Sequence, residues 1–151
     1  MGSREVKIMD AEKLENFDFE LVSPEKKLMS EKAWQVTIPG EMGNFGVRAG
    51  HSSLVSSIRP GVVEIVSNEG DAPIKIFIAG GFADVTATNC TILAEQATML
   101  SELNQDVIVE TISTLESKLA ATNDNVEKVR YTRELKLEKA KLTAVTGTLT
   151  V

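Results

Sequence analysis

Three features of this 151-residue chain could carry a reaction: the glycine pair Gly80-Gly81, the single cysteine Cys90 and the single histidine His51. The glycines follow an apolar run in IAGGFADVTATNC. A phosphate loop needs several backbone N–H groups turned inward, then a helix, often opened by Lys-Ser or Lys-Thr. Here no lysine follows, and FADVTAT reads as strand. Gly80-Gly81 is therefore expected to be a bulge or tight bend where a side chain would clash. Cys90 needs a base to become a nucleophilic thiolate, and His51 lies in a different turn. It reads as an inert thiol buried in a strand. One His and one Cys supply at most half of a structural zinc site. Ser52 and Ser53 follow His51, but adjacent serines do not make a triad. Gly43, Gly46 and Gly50 instead suggest a tightly folded loop that presents Asn44, Arg48 and His51 outward. Such a loop is a contact surface more readily than a catalytic one.

Composition narrows the classes further. With 16 basic and 22 acidic residues the net charge is −6, a poor match for nucleic-acid binding, which works by neutralising phosphates. No apolar stretch approaches the ~20 residues of a membrane helix, so membrane association is expected only through a partner. A lone cysteine allows no internal disulfide and fits a reducing compartment. The opening MGSREVKIMDAEKLE has no apolar core and carries acids, unlike a signal or transit peptide. It is set aside as a leader or arm.

The elements that must position these residues have two different periods. Phe17, Phe19 and Leu21 share one side of FDFELV. Trp34, Val36 and Ile38 do the same in WQVTI, as do Ile74, Ile76 and Ile78 in IKIFI. Alternation of this kind marks strands with one buried face. Turn signals separate the runs at Ser23-Pro24-Glu25, Pro39-Gly40, Arg59-Pro60-Gly61 and Asn68-Glu69-Gly70-Asp71. No helical pattern intervenes, so an all-β sandwich or barrel is expected over residues 16–97. From Leu103 to Val145 there is neither proline nor glycine. Val107, Ile108, Ile112, Leu115 and Leu119 form a helical stripe, with Asn104 as its N-cap. A polar cluster at residues 121–125 then makes a turn, where Asp124 or Asn123 could cap a second helix. Residues 98–145 thus read as a helical hairpin, and 146–151 as a frayed tail.

The second helix is unusual in two ways. Between Lys128 and Lys141 it has six basic residues against two acids, in a chain that is acidic as a whole. Its apolar residues also fall into two stripes, Val126, Val129, Leu137 and Ala140 against Tyr131, Leu135 and Leu142. A simple hairpin helix needs one. Two stripes with basic residues between them suit a helix that docks on different surfaces.

In their order and spacing, FDFELVSPEKKL, IPGEMGNFGVRAGHSSLVSSIRPGVVEI and IAGGFADVTATNCTILAEQA, followed by an α-hairpin, resemble the epsilon subunit of the bacterial F-type ATP synthase. The resemblance covers roughly residues 17–145. It implies an antiparallel β-sandwich of about ten strands followed by a two-helix antiparallel hairpin, and no active site of its own. It implies a rotor subunit of the central stalk that couples the gamma subunit to the ring of c subunits, at the cytoplasmic face of the membrane. Glu41, Asn44, Arg48 and His51 fall in the region that meets the c ring, although the family commonly has an acid at the place of Asn44. When the hairpin extends, its basic second helix meets the beta subunits and blocks hydrolysis, which makes Arg130, Arg133, Lys136, Lys139 and Lys141 the candidate contacts. Some members bind ATP through a Leu/Ile-Asp-x-x-Arg-Ala pattern. The matching stretch here, Leu103 to Ile108, has Asn104 for the acid and Val107 for the arginine. Without that cation a phosphate lacks its charge partner, so no cofactor is expected. Two other readings compete: a free-standing β-sandwich binding module with a helical cap, and a small hydrolase using His51, which lacks partners.

Overall fold

The computed structural model describes residues 16–147. The expected leader, residues 1–15, and most of the expected tail, residues 148–151, lie outside the described residues. The chain divides after Ala97 into two compact units.

The strands form one curled, mostly antiparallel sheet, and the last of them runs across the division after Ala97. Its strands are β1 (Phe17–Val22), β2 (Lys27–Ala33), β3 (Gln35–Gly40), β4 (Gly43–Val47) and β5 (Leu54–Ile58), then β6 (Gly61–Val66), β7 (Ile74–Ile78), β8 (Gly81–Val85), β9 (Asn89–Ala94) and β10 (Ala97–Met99). They run in the order β10-β7-β6-β3-β5-β8-β9-β1-β2, with β4 added to β3. The β1–β9 pair is parallel. β3 is the corner of the fold. One of its edges pairs with β4 throughout, while the other meets β6 at residues 35–37 and β5 at Gly40. Pro39 stands where the partner changes. It has no N–H to offer a ladder, so the break costs no donor.

The curl brings one face of each strand into a single core. Phe17, Phe19, Leu21, Val36, Ile38, Val47, Val63, Ile65, Ile78, Val85, Cys90 and Ile92 meet there, at no more than 2% exposure. The alternation in FDFELV holds. Trp34, by contrast, sits at the bend between β2 and β3 and is half-buried. Phe77 breaks the alternation in IKIFI, since it is buried on the face opposite Ile76 and Ile78 and outside the core cluster.

Beyond β10 the second unit contains a 3₁₀ turn, Leu100–Glu102, then α1 (Gln105–Ala121) and α2 (Asn125–Thr146). Asn104 caps α1 as expected, its Oδ1 accepting from the backbone N–H groups of Asp106 at 3.0 Å and Val107 at 3.3 Å. Asp124 caps α2 by accepting from Val126 N at 2.9 Å. The linking turn is held by Thr122, whose hydroxyl donates to Glu127 Oε2 at 2.7 Å. A link this short forces the helices antiparallel. Ile108, Leu115 and Leu135 are the buried side chains of the pair. Val107 does not belong to the α1 stripe: one residue from Ile108 is a turn of about 100°, and Val107 is 58% exposed. Thr146 still belongs to α2, and Gly147 ends it in the left-handed conformation at φ 69°.

Candidate functional site

The residues that invited a catalytic reading are built into the sheet. Gly80 and Gly81 have φ of 128° and 151°. Gly80 lies in the link from β7 to β8 and Gly81 opens β8, with the Glu95 N–H donating to Gly80 O at 3.0 Å. No helix follows, as the sequence suggests. Cys90 is fully buried in β9, and burial, helped by the nearby Asp84 carboxylate, pushes its thiol up to about 12. A thiol in that state is protonated at neutral pH and is no nucleophile. His51 Nδ1 lies 2.7 Å from Ser52 O. The carbonyl can only accept, so Nδ1 carries the proton. Among the described residues no group of His, Cys, Asp or Glu is arranged to hold a metal.

The loop candidates fall into two pairs. Glu41 and Met42 form the β3–β4 turn, and Asn44 lies just beyond it opposite Pro39. Arg48 and His51 follow the far end of β4, roughly 13 Å away at about 3.3 Å per residue. The four therefore do not make one cluster. At the tip, Glu41 is exposed and Met42 fully so. Glu41 N donates to Ser57 O at 3.3 Å, which ties the turn back to β5. At the far end, the Arg48 guanidinium lies 3.8 Å from the centroid of the Trp34 ring, a cation–π contact that occupies one of its faces. The His51 N–H donates to Arg48 O at 3.1 Å. Met42, Arg59 and Trp34 were not singled out as site residues by the sequence reasoning. Arg59 stood in Arg-Pro-Gly, a signal read only as a turn, yet its side chain reaches both arms of the hairpin.

The five basic candidates on α2 also separate. Arg130, Arg133 and Lys136 are exposed, and Arg130 stacks 5.0 Å from the Tyr131 ring. Lys139 and Lys141 are half-buried. Lys141 Nζ lies 3.0 Å from Glu138 Oε1, with both side chains largely sheltered, so it is committed within its own helix. The two apolar stripes are used unequally. Leu135 is buried with Tyr131 and Leu142 half-buried beside it on the wheel, while Val126 and Val129 are 77% and 60% exposed. Val126, Arg130, Arg133 and Leu137 follow steps of four, three and four, so the two arginines lie within the exposed valine stripe. Asn104 is spent on capping, and Val107 supplies no charge.

Residues 16–100 match the family model described as "ATP synthase, Delta/Epsilon chain, beta-sandwich domain". The chain is 37% identical to an ATP synthase epsilon chain of Rhodospirillum rubrum, over 88% of this chain and 98% of that one. It is 45% identical to ATP synthase epsilon chain 1 of Nitrobacter hamburgensis, over 69% and 76%. Among solved structures it shares the fold of a chain in the Euglena gracilis mitochondrial ATP synthase, with TM-score 0.74, 23% identity, and coverage of 83% and 79%.

Proposed function

This chain belongs to the family of ATP synthase epsilon chains, and from that membership we infer that it works as a rotor subunit of the central stalk. It joins the gamma subunit to the c ring, so that proton-driven rotation reaches the catalytic subunits. The observation that carries this reading is the near end-to-end match at 37% identity, which takes in both the sheet unit and the hairpin. The geometry supports it: the β unit spends its glycines, thiol and imidazole on structure and presents an exposed hairpin tip. The subunit has no catalytic site of its own. It sits peripherally at the cytoplasmic face of the membrane, and among the described residues no helix is long and apolar enough to cross one.

In this reading the Glu41–Met42 tip, with Asn44, is the surface offered to the c ring, while Arg48 and His51 form a second contact at the other end of β4. Exposed Arg130, Arg133 and Lys136 are the charges that the extended hairpin brings to the beta subunits, where it obstructs hydrolysis. Lys139 and Lys141 contribute less, since both are sheltered. ATP does not bind the hairpin, because Asn104 caps α1 and Val107 provides no cation. Co-purification of the full chain with its cognate gamma subunit tests the central claim. A stable one-to-one complex is expected; a chain that stays monomeric beside folded gamma would overturn it.

A further inference from the structure

Arg59 lies in the turn between β5 and β6, yet its contacts are with the β3–β4 hairpin. Its backbone N–H donates to Pro39 O at 3.0 Å, and its Nε donates to Gly40 O at 3.2 Å. Its Nη2 donates to Asn44 Oδ1. Gly40 and Asn44 stand on opposite arms of the hairpin, on either side of Glu41 and Met42. One guanidinium thus spans the base of the tip. A planar fork of donors can hold two acceptors in fixed directions at once, which a single ammonium on a flexible stem does not.

The surroundings leave little room for another arrangement. A Cβ on Gly40 would lie 2.8 Å from the Phe45 ring. One on Gly61 would lie 3.1 Å from Pro39 Cβ and 3.5 Å from Arg59 Nη1. The two arms and the β5–β6 turn are therefore already in close contact. The tip that it braces carries groups with no use inside the chain. The Glu41 carboxylate has no hydrogen bond or ion pair among the described residues, and Met42 is fully exposed.

We propose that Arg59 is a positioning residue: it fixes the pose in which Glu41 and Met42 meet the rotor partner, and acts through the hairpin rather than through its own charge. The proposal rests on the reading of the tip as the c-ring contact. Pre-fixing a two-residue tip spares the complex the entropy of ordering it at the moment of contact.

The test uses synthase membranes depleted of this subunit and purified full-length chain added back. The measured quantity is the chain concentration that half-restores ATP-driven proton pumping. Arg59→Ala is expected to raise it about tenfold, the equivalent of roughly one hydrogen bond to a charged donor, because the two lost bonds act on binding only through the order of the tip. Arg59→Lys is expected to fall well short of rescue, since it keeps the charge and loses the fork. Two comparisons keep the result readable. The double variant E41A/M42A removes the tip itself, and Val63→Ala destabilises the shared core from β6 with Glu41, Met42 and Arg59 all unchanged. If E41A/M42A behaves as the parent, the tip reading fails and the proposal with it. If E41A/M42A fails to restore pumping while Arg59→Lys restores it fully, the tip reading stands and the positioning role is overturned. A Val63→Ala shift as large as that of Arg59→Ala, at matched melting temperatures, would also overturn it, because the effect would then be general stability.

Discussion

Replacing Gly81 by alanine puts a methyl group where the sheet has no space. The added Cβ would lie 1.9 Å from Leu93 O, 3.0 Å from Leu93 C and 3.1 Å from Ala94 Cα. Those atoms are backbone, so no flexible side chain can swing aside. β9 itself must move, and it carries buried Cys90, Ile92 and Ala94. Gly81 also pairs with Ile58 on its other side, which limits any retreat of β8. Its φ of 151° adds a backbone penalty for any residue with a side chain. That penalty is about 1–3 kcal/mol, and forcing extra volume into a packed sheet costs about 1–3 kcal/mol more. The sum, about 2–6 kcal/mol, is a large part of the roughly 5–15 kcal/mol that holds a domain together. Gly43→Ala isolates the backbone part, because Gly43 has φ 124° but nothing within 4 Å of an added Cβ. Urea unfolding followed by the fluorescence of Trp34, the only tryptophan, reads both variants within the β unit. With a slope of about 1–3 kcal/mol per molar urea, Gly81→Ala should lower the midpoint by roughly 1–3 M, clearly more than Gly43→Ala. A Gly81→Ala midpoint equal to that of Gly43→Ala would refute the steric account of Gly81.

Four further outcomes are expected. Charge reversal at Arg130, Arg133 and Lys136 together should raise ATP hydrolysis by the assembled synthase, whereas reversal at Lys141 alone should change it less; equal effects would contradict the assignment. Asn104→Ala should destabilise α1 by about 1 kcal/mol by orphaning two backbone N–H groups, read as lost helicity by circular dichroism on heating. Cys90 binds its proton more tightly folded than unfolded, so its contribution is intact below pH 9 and is lost as pH rises toward about 12; Cys90→Ala should flatten that part of the stability profile, and an unchanged slope would count against a buried thiol. Calorimetry with ATP on the isolated subunit should give no sub-millimolar binding.

The sequence revealed the secondary structure well where a single period dominated. FDFELV and the α1 stripe from Ile108 to Leu119 each have one buried face, so periodicity and burial agree. The caps were readable for a similar reason: Asn104 and Asp124 bind backbone groups two and three residues away. Phe77 was not legible, because a strand covered on both faces no longer alternates. Nor was the separation of Glu41 from Arg48. Closely spaced glycines suggest a compact loop, but here Gly43 and Gly46 belong to β4, and an extended strand carries the two ends apart. Arg59 escaped notice because its acceptors are 15 and 19 residues away, across a turn whose geometry no local pattern encodes.

The hairpin reading gains its strongest physical support from residues that do little in this arrangement. Val107, Val109, Val126 and Val129 are all about half exposed or more. Valine is a weaker helix former than alanine, lysine or glutamate, so each one lowers helix stability without recovering it through burial. Only Ile108, Leu115 and Leu135 are buried in the two helices. At about 1.5–3 kcal/mol for each buried side chain, they contribute about 5–9 kcal/mol. A pair of helices held this lightly belongs to the low-stability end of a structure, from which moving elements are drawn. Arg130 and Arg133, set among exposed Val126 and Val129, add a surface of mixed character. A helix meant only to cap the sheet would gain stability by exchanging those valines for alanine or glutamate. Their presence argues that α2 has a second surface to cover.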